Sequence, residues 1–193
     1  METIVLTGPK HSGKTSAGKA LASLCSCAFI DLDELITQRA GKSPRQLFSE
    51  GQAVFQKAEA DAAAALFGAD GAGENSAGSR AEGRRVIAAG GGIIDNVEAA
   101  AYLKKAGAIT VYLNISAESA WDRIAAGGEL PPFLRTENPR ETHRVLHERR
   151  AAAYLQFADI VIEAGGKTPD EIAGEILNLP ETRLVSEQIR QGT

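Results

Sequence analysis

The sequence contains little cysteine and few aromatic residues, and it has no long apolar run. Its 193 residues include two cysteines, one tryptophan and 5% aromatic residues in total. Cys25 and Cys27 are too close in sequence for a structural disulfide, and they lack the second pair of ligands that a zinc site needs. We therefore expect reduced thiols and a cytoplasmic protein. Because no apolar run approaches the ~18 residues of a membrane span and no basic, apolar leader follows Met1, we expect neither a membrane segment nor a secretory signal.

An excess of positive charge is also missing. The 21 Lys and Arg residues are outnumbered by 25 Asp and Glu residues, which gives a formal net charge of −4. A mildly acidic chain has no basic surface for non-specific nucleic-acid binding, so we expect no nucleic-acid partner. We also expect a monomer with no membrane partner. A content of 44% hydrophobic and 24% charged residues is typical of one globular domain of ordinary size.

Short apolar runs alternate with segments of helical periodicity along most of the chain. The runs predicted as strands are residues 3–7, 28–30, 85–89, 108–113 and 160–162. The segments predicted as helices are residues 14–24, 44–48, 53–67, 96–105, 116–126, 139–157 and 169–178, two of them opened by capping boxes. This alternation indicates βαβ crossovers and hence an α/β fold with a parallel sheet covered on both faces.

Three segments depart from this alternation. Residues 68–85 contain no Val, Ile, Leu or aromatic residue, which predicts a mobile insertion within the domain. Residues 127–138 are rich in Gly and Pro between two helices, where a lid would lie. We expect one domain over residues 1–179 and a frayed C-terminal tail over residues 180–193.

The motif with the clearest chemistry follows the first predicted strand. Residues 8–15 read GPKHSGKT and match the phosphate-binding pattern G-x-x-x-x-G-K-[ST], between a buried strand and a helix, a context that disfavours a chance glycine turn. Glycines let backbone N–H groups turn inward around an anion, and the helix N-terminus adds unpaired donors. Lys14 is predicted to reach the β- and γ-phosphates, and the Thr15 hydroxyl to bind Mg²⁺. The residues predicted to hold the triphosphate are Gly8, Ser12, Gly13, Lys14, Thr15 and Ser16.

An acidic pair, Asp31 and Asp33, follows the second predicted strand. If the extended geometry continues, residues two apart point to the same side, and both carboxylates would face the carboxyl edge of the sheet, where ligands bind in open α/β folds. One carboxylate could hold Mg²⁺ through water, and the other could accept a hydrogen bond from a substrate hydroxyl. Capping of the next helix, around residues 34–36, is an equally good interpretation of these side chains.

Taken in order, the motifs of the chain resemble those of the shikimate kinase family, small P-loop kinases of the nucleoside-monophosphate-kinase type. The resemblance covers about residues 3–178, and it rests on the P-loop followed by FIDLDELITQRAGKSPRQLFSEG, GQAVFQKAE, AAGGG, PPFL and ERRAAAY. It implies a three-layer α/β/α fold with a five-stranded parallel sheet in the order 2-3-1-4-5. It also implies ATP and Mg²⁺ as cofactors and transfer of the γ-phosphate to a ring hydroxyl of a small molecule.

The same resemblance implies roles for individual residues. Lys14 and Asp33 would be catalytic, and Thr15 and Asp31 would serve Mg²⁺. Glycines would form the floor of the substrate site, and Arg150 would hold the substrate carboxylate. The residues implied on the adenine side are Arg123, Lys167 and Pro169. The residues implied at the substrate are Asp33, Gln56, Gly90, Gly91, Gly92 and Arg150.

Two positions depart from the family pattern. Gln56 stands where the family has an arginine that grips the substrate carboxylate, and Pro131 replaces the arginine of the lid. Lys57 and Arg135 are nearby cations, but one helical step turns Lys57 about 100° away from Gln56. Shikimate is the leading acceptor. A kinase for another polyol or hydroxy acid and a regulatory pseudo-kinase are the alternatives.

A few other polar residues have more than one interpretation. His143 and His147 have a spacing that is compatible with a metal, but with no third ligand they are predicted to lie on the surface. Glu59 either orients Arg150 or lies on a helix surface. Arg144 is predicted on a solvated helix face, paired with neighbouring glutamates.

Overall fold

Five parallel strands form the centre of the molecule. The computed structural model describes residues 3–67, 85–105, 108–127 and 130–179. The strands are β1 (Thr3–Thr7), β2 (Ala28–Asp31), β3 (Arg85–Ala88), β4 (Ile109–Asn114) and β5 (Ile160–Glu163). They pair in the order β2-β3-β1-β4-β5, which confirms the predicted α/β fold and strand order.

Helices connect the strands and cover both faces of the sheet. They are α1 (Lys14–Leu24), α2 (Leu32–Ala40), α3 (Pro44–Glu50), α4 (Gln52–Phe67), α5 (Val97–Lys105), α6 (Ala117–Ala126), α7 (Pro139–Phe157) and α8 (Pro169–Leu177). The predicted capping boxes are present at the start of α3 and of α8. The predicted ends of strands and helices differ from the observed ones by one or two residues, as expected where ends fray.

The continuous apolar run of β1 reflects burial on both faces, since all its residues are buried. Side chains alternate between the two faces of a strand, so neighbours in β1 join different clusters. Leu6 packs with Leu21 in the layer formed by α1 and α8, and Val5 packs with Ile36 in the layer that contains α2, α4 and α5. The sheet is thus the middle of three layers.

This topology gathers the segments that carry the predicted site residues. The P-loop follows β1, the acidic pair begins at the last residue of β2, the glycines follow β3, and Lys167 follows β5. In a parallel sheet, all these segments leave from the carboxyl edge, where ligands bind in open α/β folds. Segments after β2 and β3 lie on one side of the P-loop, and segments after β4 and β5 lie on the other.

The expectation that His143 and His147 lie on the surface is wrong. Both are buried, at 6% and 8% exposure, because this face of α7 packs against α6 and the end of β4. His147 Nε2 lies 3.0 Å from the backbone oxygen of Ile115, and the His143 ring contacts Trp121. Burial lowers the pKa of both imidazoles, which keeps them neutral at physiological pH.

Parts of the predicted domain organisation fall on residues that the structure does not describe. These are the insertion, apart from Arg85 at the start of β3, the C-terminal tail, and residues 128–129 of the lid. Within the described part of the chain, no helix has the length and apolar character needed to cross a membrane.

Candidate active site

The phosphate-binding loop between β1 and α1 requires glycine in its backbone. Gly8 has a φ of 138°, and a Cβ there would lie 2.7 Å from the backbone oxygen of Leu113 in β4. Gly13 has a φ of 98° and precedes α1 without providing a side-chain cap. The first turn of α1 therefore directs backbone N–H groups and the positive end of the helix dipole at the loop, the arrangement of phosphate-binding sites.

The Lys14 ammonium is held by the loop itself. Its Nζ donates to the backbone oxygens of Gly8 and Pro9 at 3.0 and 2.7 Å and to Ser12 Oγ at 3.4 Å. Burial lowers the pKa of Lys14 to about 8, although the acidic pair opposes this effect. Charged phosphate oxygens would be stronger partners for this ammonium than the neutral oxygens that now hold it.

Asp31 uses its two carboxylate oxygens for different partners. Oδ1 accepts hydrogen bonds from the backbone N–H groups of Asp33 and Glu34 and so caps α2, at 3.0 and 3.4 Å. Oδ2 accepts a hydrogen bond of 2.8 Å from Thr15 Oγ1. The two interpretations of Asp31 are therefore compatible, because the capping carboxylate also presents an oxygen beside the hydroxyl of the P-loop.

Asp33 reaches the site in a different way from the one expected. The extended geometry ends at Asp31, and Asp33 lies in the first turn of α2, so strand alternation does not align the two side chains. Both nevertheless line one cleft. Desolvation raises the pKa of the Asp33 carboxyl, and the charge of Asp31 raises it further, while Lys14 opposes the shift. A raised pKa makes Asp33 a stronger base than an ordinary aspartate.

The glycine loop after β3, formed by Gly90, Gly91 and Gly92, packs closely against the P-loop and against two carboxylates. A Cβ at Gly91 would lie 2.8 Å from the backbone nitrogen of Lys10 in the P-loop. A Cβ at Gly90 would lie 3.1 Å from Glu59 Oε1 and 3.2 Å from Asp33 Oδ1. Larger side chains would therefore push the loop away from the P-loop and from the carboxylates.

Arg150 of α7 lines the cleft beside the glycine loop. Its Nε and Nη2 donate to Asp95 Oδ2 at 2.9 and 2.6 Å, and its Nη1 donates to the backbone oxygen of Gly91 at 3.2 Å. The ring of Phe133, in the predicted lid, lies 5.8 Å from the guanidinium carbon. Part of the lid segment thus covers this cation.

A second set of side chains lines the cleft on the side of β4 and β5. Arg123 of α6 donates from Nη1 to the backbone oxygen of His11 at 2.8 Å. Lys167 forms an ion pair with Glu175, and Pro169 is the first residue of α8. These residues provide cationic and apolar surface next to the phosphate loop, as a nucleoside would need.

One cleft of about 770 Å³ contains almost all of the predicted site residues, and its volume is typical of small-molecule sites. The predicted residues that line it are Ser12, Gly13, Lys14, Thr15, Ser16, Asp31, Asp33, Gly90, Gly91, Gly92, Arg123, Arg150, Lys167 and Pro169. Gly8 supports the loop without lining the cleft. Gln56 is the other exception.

Gln56 is turned away from the cleft. Its Nε2 donates to the backbone oxygen of Asp95 at 3.2 Å, so the amide is used inside the fold and is not among the groups that line the cleft. Lys57 does not replace it, because its ammonium pairs with Asp61 on the exposed side of α4. Arg135 is exposed and does not line the cleft.

The sequence analysis missed that α3 and α4 line the cleft. Arg45, Phe48 and Phe55 are among the residues that line it, and the two aromatic rings meet edge to face with their centroids 6.2 Å apart. A helical spacing of three places Arg45 and Phe48 on one face of α3, which was an available signal. The contact with Phe55 depends on how α3 packs on α4.

Glu59 is buried in α4 rather than placed on a helix surface. It is 1% exposed, and its Oε2 accepts a hydrogen bond of 2.9 Å from Asn96 Nδ2. Among the residues that the structure describes, its Oε1 has no hydrogen-bond partner. Burial raises the pKa of this carboxyl to about 7. Glu59 therefore holds its proton far more readily than a surface glutamate.

We expect the variant Glu59→Gln to be more stable than the natural chain above neutral pH. The unfolded carboxyl ionises near its ordinary pKa of 4.5, whereas the folded one ionises near 7. Between these values the folded protein keeps a proton that the unfolded chain has lost, so the free energy of unfolding falls as the pH rises. The variant has no charge to bury and should gain about 3 kcal/mol at alkaline pH. Urea unfolding at mildly acidic and mildly alkaline pH measures this gain.

Glu98→Gln is the matched control, because Glu98 is exposed on α5. We expect this change to alter stability by less than about 0.5 kcal/mol at either pH. If the free energy of unfolding falls equally with rising pH in Glu59→Gln and in the natural chain, the buried Glu59 carboxylate is not the cause of the loss of stability.

Comparisons with known proteins agree with this geometry. A family model described as shikimate kinase matches residues 10–180. The shikimate kinase of Caldanaerobacter subterraneus is 35% identical over 92% of this chain and 95% of its own length, and that of Salinispora arenicola is 34% identical over 91% and 95%. The structure of the shikimate kinase of Acinetobacter baumannii in complex with shikimate has a TM-score of 0.78 and 29% identity, over 94% of this chain and 93% of that chain. Because these likenesses extend over nearly the whole length, the chain belongs to the shikimate kinase family, whose members transfer a phosphoryl group to a hydroxyl.

Proposed function

We propose that this protein transfers the γ-phosphate of ATP to a hydroxyl of shikimate. The observation that carries the proposal is that the P-loop lysine and Asp33 line the same cleft, with the glycine loop beside them. A phosphate donor on Lys14 and a hydroxyl on Asp33 would thus be neighbours. The names of the relatives and the shikimate in the structure of the Acinetobacter protein support this choice of acceptor.

ATP would bind with its phosphates on the P-loop and its adenine on the side of β4 and β5. The backbone N–H groups of the loop and the first turn of α1 would bind the β- and γ-phosphates. Arg123, Lys167 and Pro169 would contact the nucleoside, since they line the cleft beyond the P-loop. Burial and nearby cations lower the pKa of His11 below its usual value. The ring is therefore neutral, and it does not repel the cations around the phosphate loop.

The oxygen atoms of Thr15 and Asp31 fit Mg²⁺. A hydroxyl and a carboxylate lie 2.8 Å apart beside the phosphate loop, and Mg²⁺ is usually held by one or two such protein oxygens together with substrate phosphates and water. When bound, Mg²⁺ would supply positive charge that offsets part of the negative charge developing on the phosphates in the reaction. Thr15 and Asp31 are the residues that would hold it.

The transfer itself needs a base, a charge partner and an enclosed site. Asp33 would accept the proton of the acceptor hydroxyl as its oxygen bonds to the γ-phosphorus, while the bond to the bridging oxygen of ADP breaks. Lys14 would offset negative charge on the transferring group. The segment that carries Phe133 would exclude water, because water would otherwise compete as the acceptor.

The acceptor would lie between the glycine loop and the aromatic pair Phe48 and Phe55. Asp33 would bind its hydroxyls, and Arg150 would bind its carboxylate through charge-assisted hydrogen bonds. Arg45 adds a second cation at this end of the cleft. The absence of arginine at positions 56 and 131 favours a second candidate, a less acidic polyol or hydroxy acid, since a less anionic acceptor needs fewer cations.

An assay of ADP release with purified protein and MgATP tests the proposal. We expect turnover that depends on shikimate, with phosphorylated shikimate as the product. Turnover with other polyols or hydroxy acids but none with shikimate would reject this acceptor and retain the kinase. Binding of ATP with no turnover on any acceptor would indicate a pseudo-kinase. A cytoplasmic location and a monomeric state stay predictions.

A further inference from the structure

Asp95 is an acidic residue beside the cleft that contacts Arg150, and the sequence analysis did not single it out. It ends a 3₁₀ turn, Ile93–Asp95, that directly follows the glycine loop. Its Oδ2 accepts two hydrogen bonds from Arg150, and its Oδ1 accepts one of 2.9 Å from Arg149 Nη2. The Asp95 carboxylate is thus hydrogen-bonded to Arg150, the residue that we assign to binding the carboxylate of the acceptor.

The pair formed by Asp95 and Arg150 is shielded from water. Their side chains are 22% and 19% exposed, whereas the Arg149 side chain is 61% exposed and its charge is largely solvated. Charge-assisted hydrogen bonds of this kind strengthen as water is removed. Arg150 therefore presents much less positive charge to the cleft than an unpaired arginine would.

Asp95 is also held in place through its backbone. Its carbonyl oxygen accepts the hydrogen bond from Gln56 Nε2, and the next residue, Asn96, donates from Nδ2 to the backbone oxygen of Gln56 and to Glu59. These bonds tie the 3₁₀ turn to α4. The departure from the family pattern at Gln56 thus supports the position of Asp95 rather than contributing a group to the cleft.

We propose that Asp95 sets the affinity of this protein for acidic acceptors, because it competes with the acceptor carboxylate for Arg150. The inference rests on the proposed function, since it takes an acid as the acceptor. An incoming carboxylate must either displace Asp95 from the guanidinium or share the guanidinium with it, and the like charges repel each other in both cases. Asp95 is a specificity-determining residue and takes no part in phosphoryl transfer.

The variant Asp95→Asn removes the charge and keeps the shape of the side chain. We expect the KM for shikimate to fall about tenfold, the order of effect of losing one competing charge-assisted contact. The kcat and the KM for ATP should change less than about twofold, because Asp95 does not contact the phosphate loop. Titration calorimetry with shikimate alone should show the same gain in affinity. Asp95→Ser provides a second uncharged variant, and thermal unfolding shows whether each variant is folded.

Two comparisons separate this role from a structural one. In an Arg150→Gln background, Asp95→Asn should no longer improve binding of shikimate, since the competed cation is absent. Asp61→Asn, on the exposed side of α4 and outside the cleft, should leave the affinity for shikimate unchanged. An equal gain with and without Arg150 would overturn the proposed competition.

The outcomes also distinguish this inference from the proposed function. If the natural chain phosphorylates shikimate and the KM rises or stays the same in folded Asp95→Asn, the inference fails and the function stands. If neither form binds or phosphorylates shikimate, both fail. If only Asp95→Asn binds shikimate tightly, competition is supported and the natural chain acts on a less acidic acceptor.

Discussion

Replacing Lys14 with alanine is expected to lower the rate of phosphoryl transfer by about 10²–10³-fold, the loss seen when an electrostatic contact to the transition state is removed. The reason is that Lys14 is a buried cation in a loop that otherwise presents backbone N–H groups to the phosphates. Alanine leaves the loop and its glycines intact, so ATP should still bind, more weakly. Single-turnover measurements with ATP in excess separate binding from transfer.

Lys19→Ala is the matched control, because Lys19 is an exposed lysine of the same helix, with its ammonium over the ring of Phe29. Its rate should equal that of the natural chain. Measuring the number of protons taken up when ATP binds provides an independent test. Phosphate should raise the pKa of Lys14, which is about 8 in the ligand-free protein, so ATP binding above pH 8 should take up a proton, and Lys14→Ala should not. Normal turnover in Lys14→Ala would refute the assignment.

The variant Asp33→Asn is expected to lower kcat by about 10²–10⁴-fold, the usual contribution of a general base. Asparagine keeps the hydrogen bond to a hydroxyl but cannot take up its proton. The KM for ATP should change little, because Asp33 is assigned to the acceptor. Steady-state kinetics with both substrates varied gives the separate constants.

The pH dependence provides a second test of Asp33. The raised pKa of its carboxyl should place the acidic limb of kcat/KM above the ordinary pKa of 3.8, since activity is lost as the base becomes protonated. That limb should be absent from the residual activity of Asp33→Asn. Asp61→Asn should retain both the rate and the limb. A similar loss of rate in the two variants would show that the effect is not specific to the cleft.

The phosphate site could be predicted from the sequence because its parts are contiguous. β1, the P-loop and α1 follow one another, and each has a local signal: an apolar run, glycines and helical periodicity. Asp31 was left with two interpretations, and both apply, because one carboxylate has two oxygens that face different partners. Only the packing of α1 against β2 places Thr15 next to the second oxygen.

The errors concern contacts between segments that are distant in sequence. His143 and His147 were expected on the surface because no third metal ligand accompanies them, but the fold covers this face of α7 with α6. Gln56 occupies a position that the family resemblance assigns to the substrate, but its amide bonds to Asp95, which is far along the chain. Nothing in the local pattern around either position signals these partners.

By itself the sequence determined the alternation of strands and helices, the phosphate loop and the acidic pair, because each depends on local periodicity or on a short motif. The strand order was implied by the resemblance to the family. The tertiary structure alone decided which charges meet. It paired Arg150 with Asp95, and it buried one oxygen of Glu59 with no hydrogen-bond partner in the described part of the chain. Electrostatic effects depend on distance and burial in space, and neither can be read from separation along the chain.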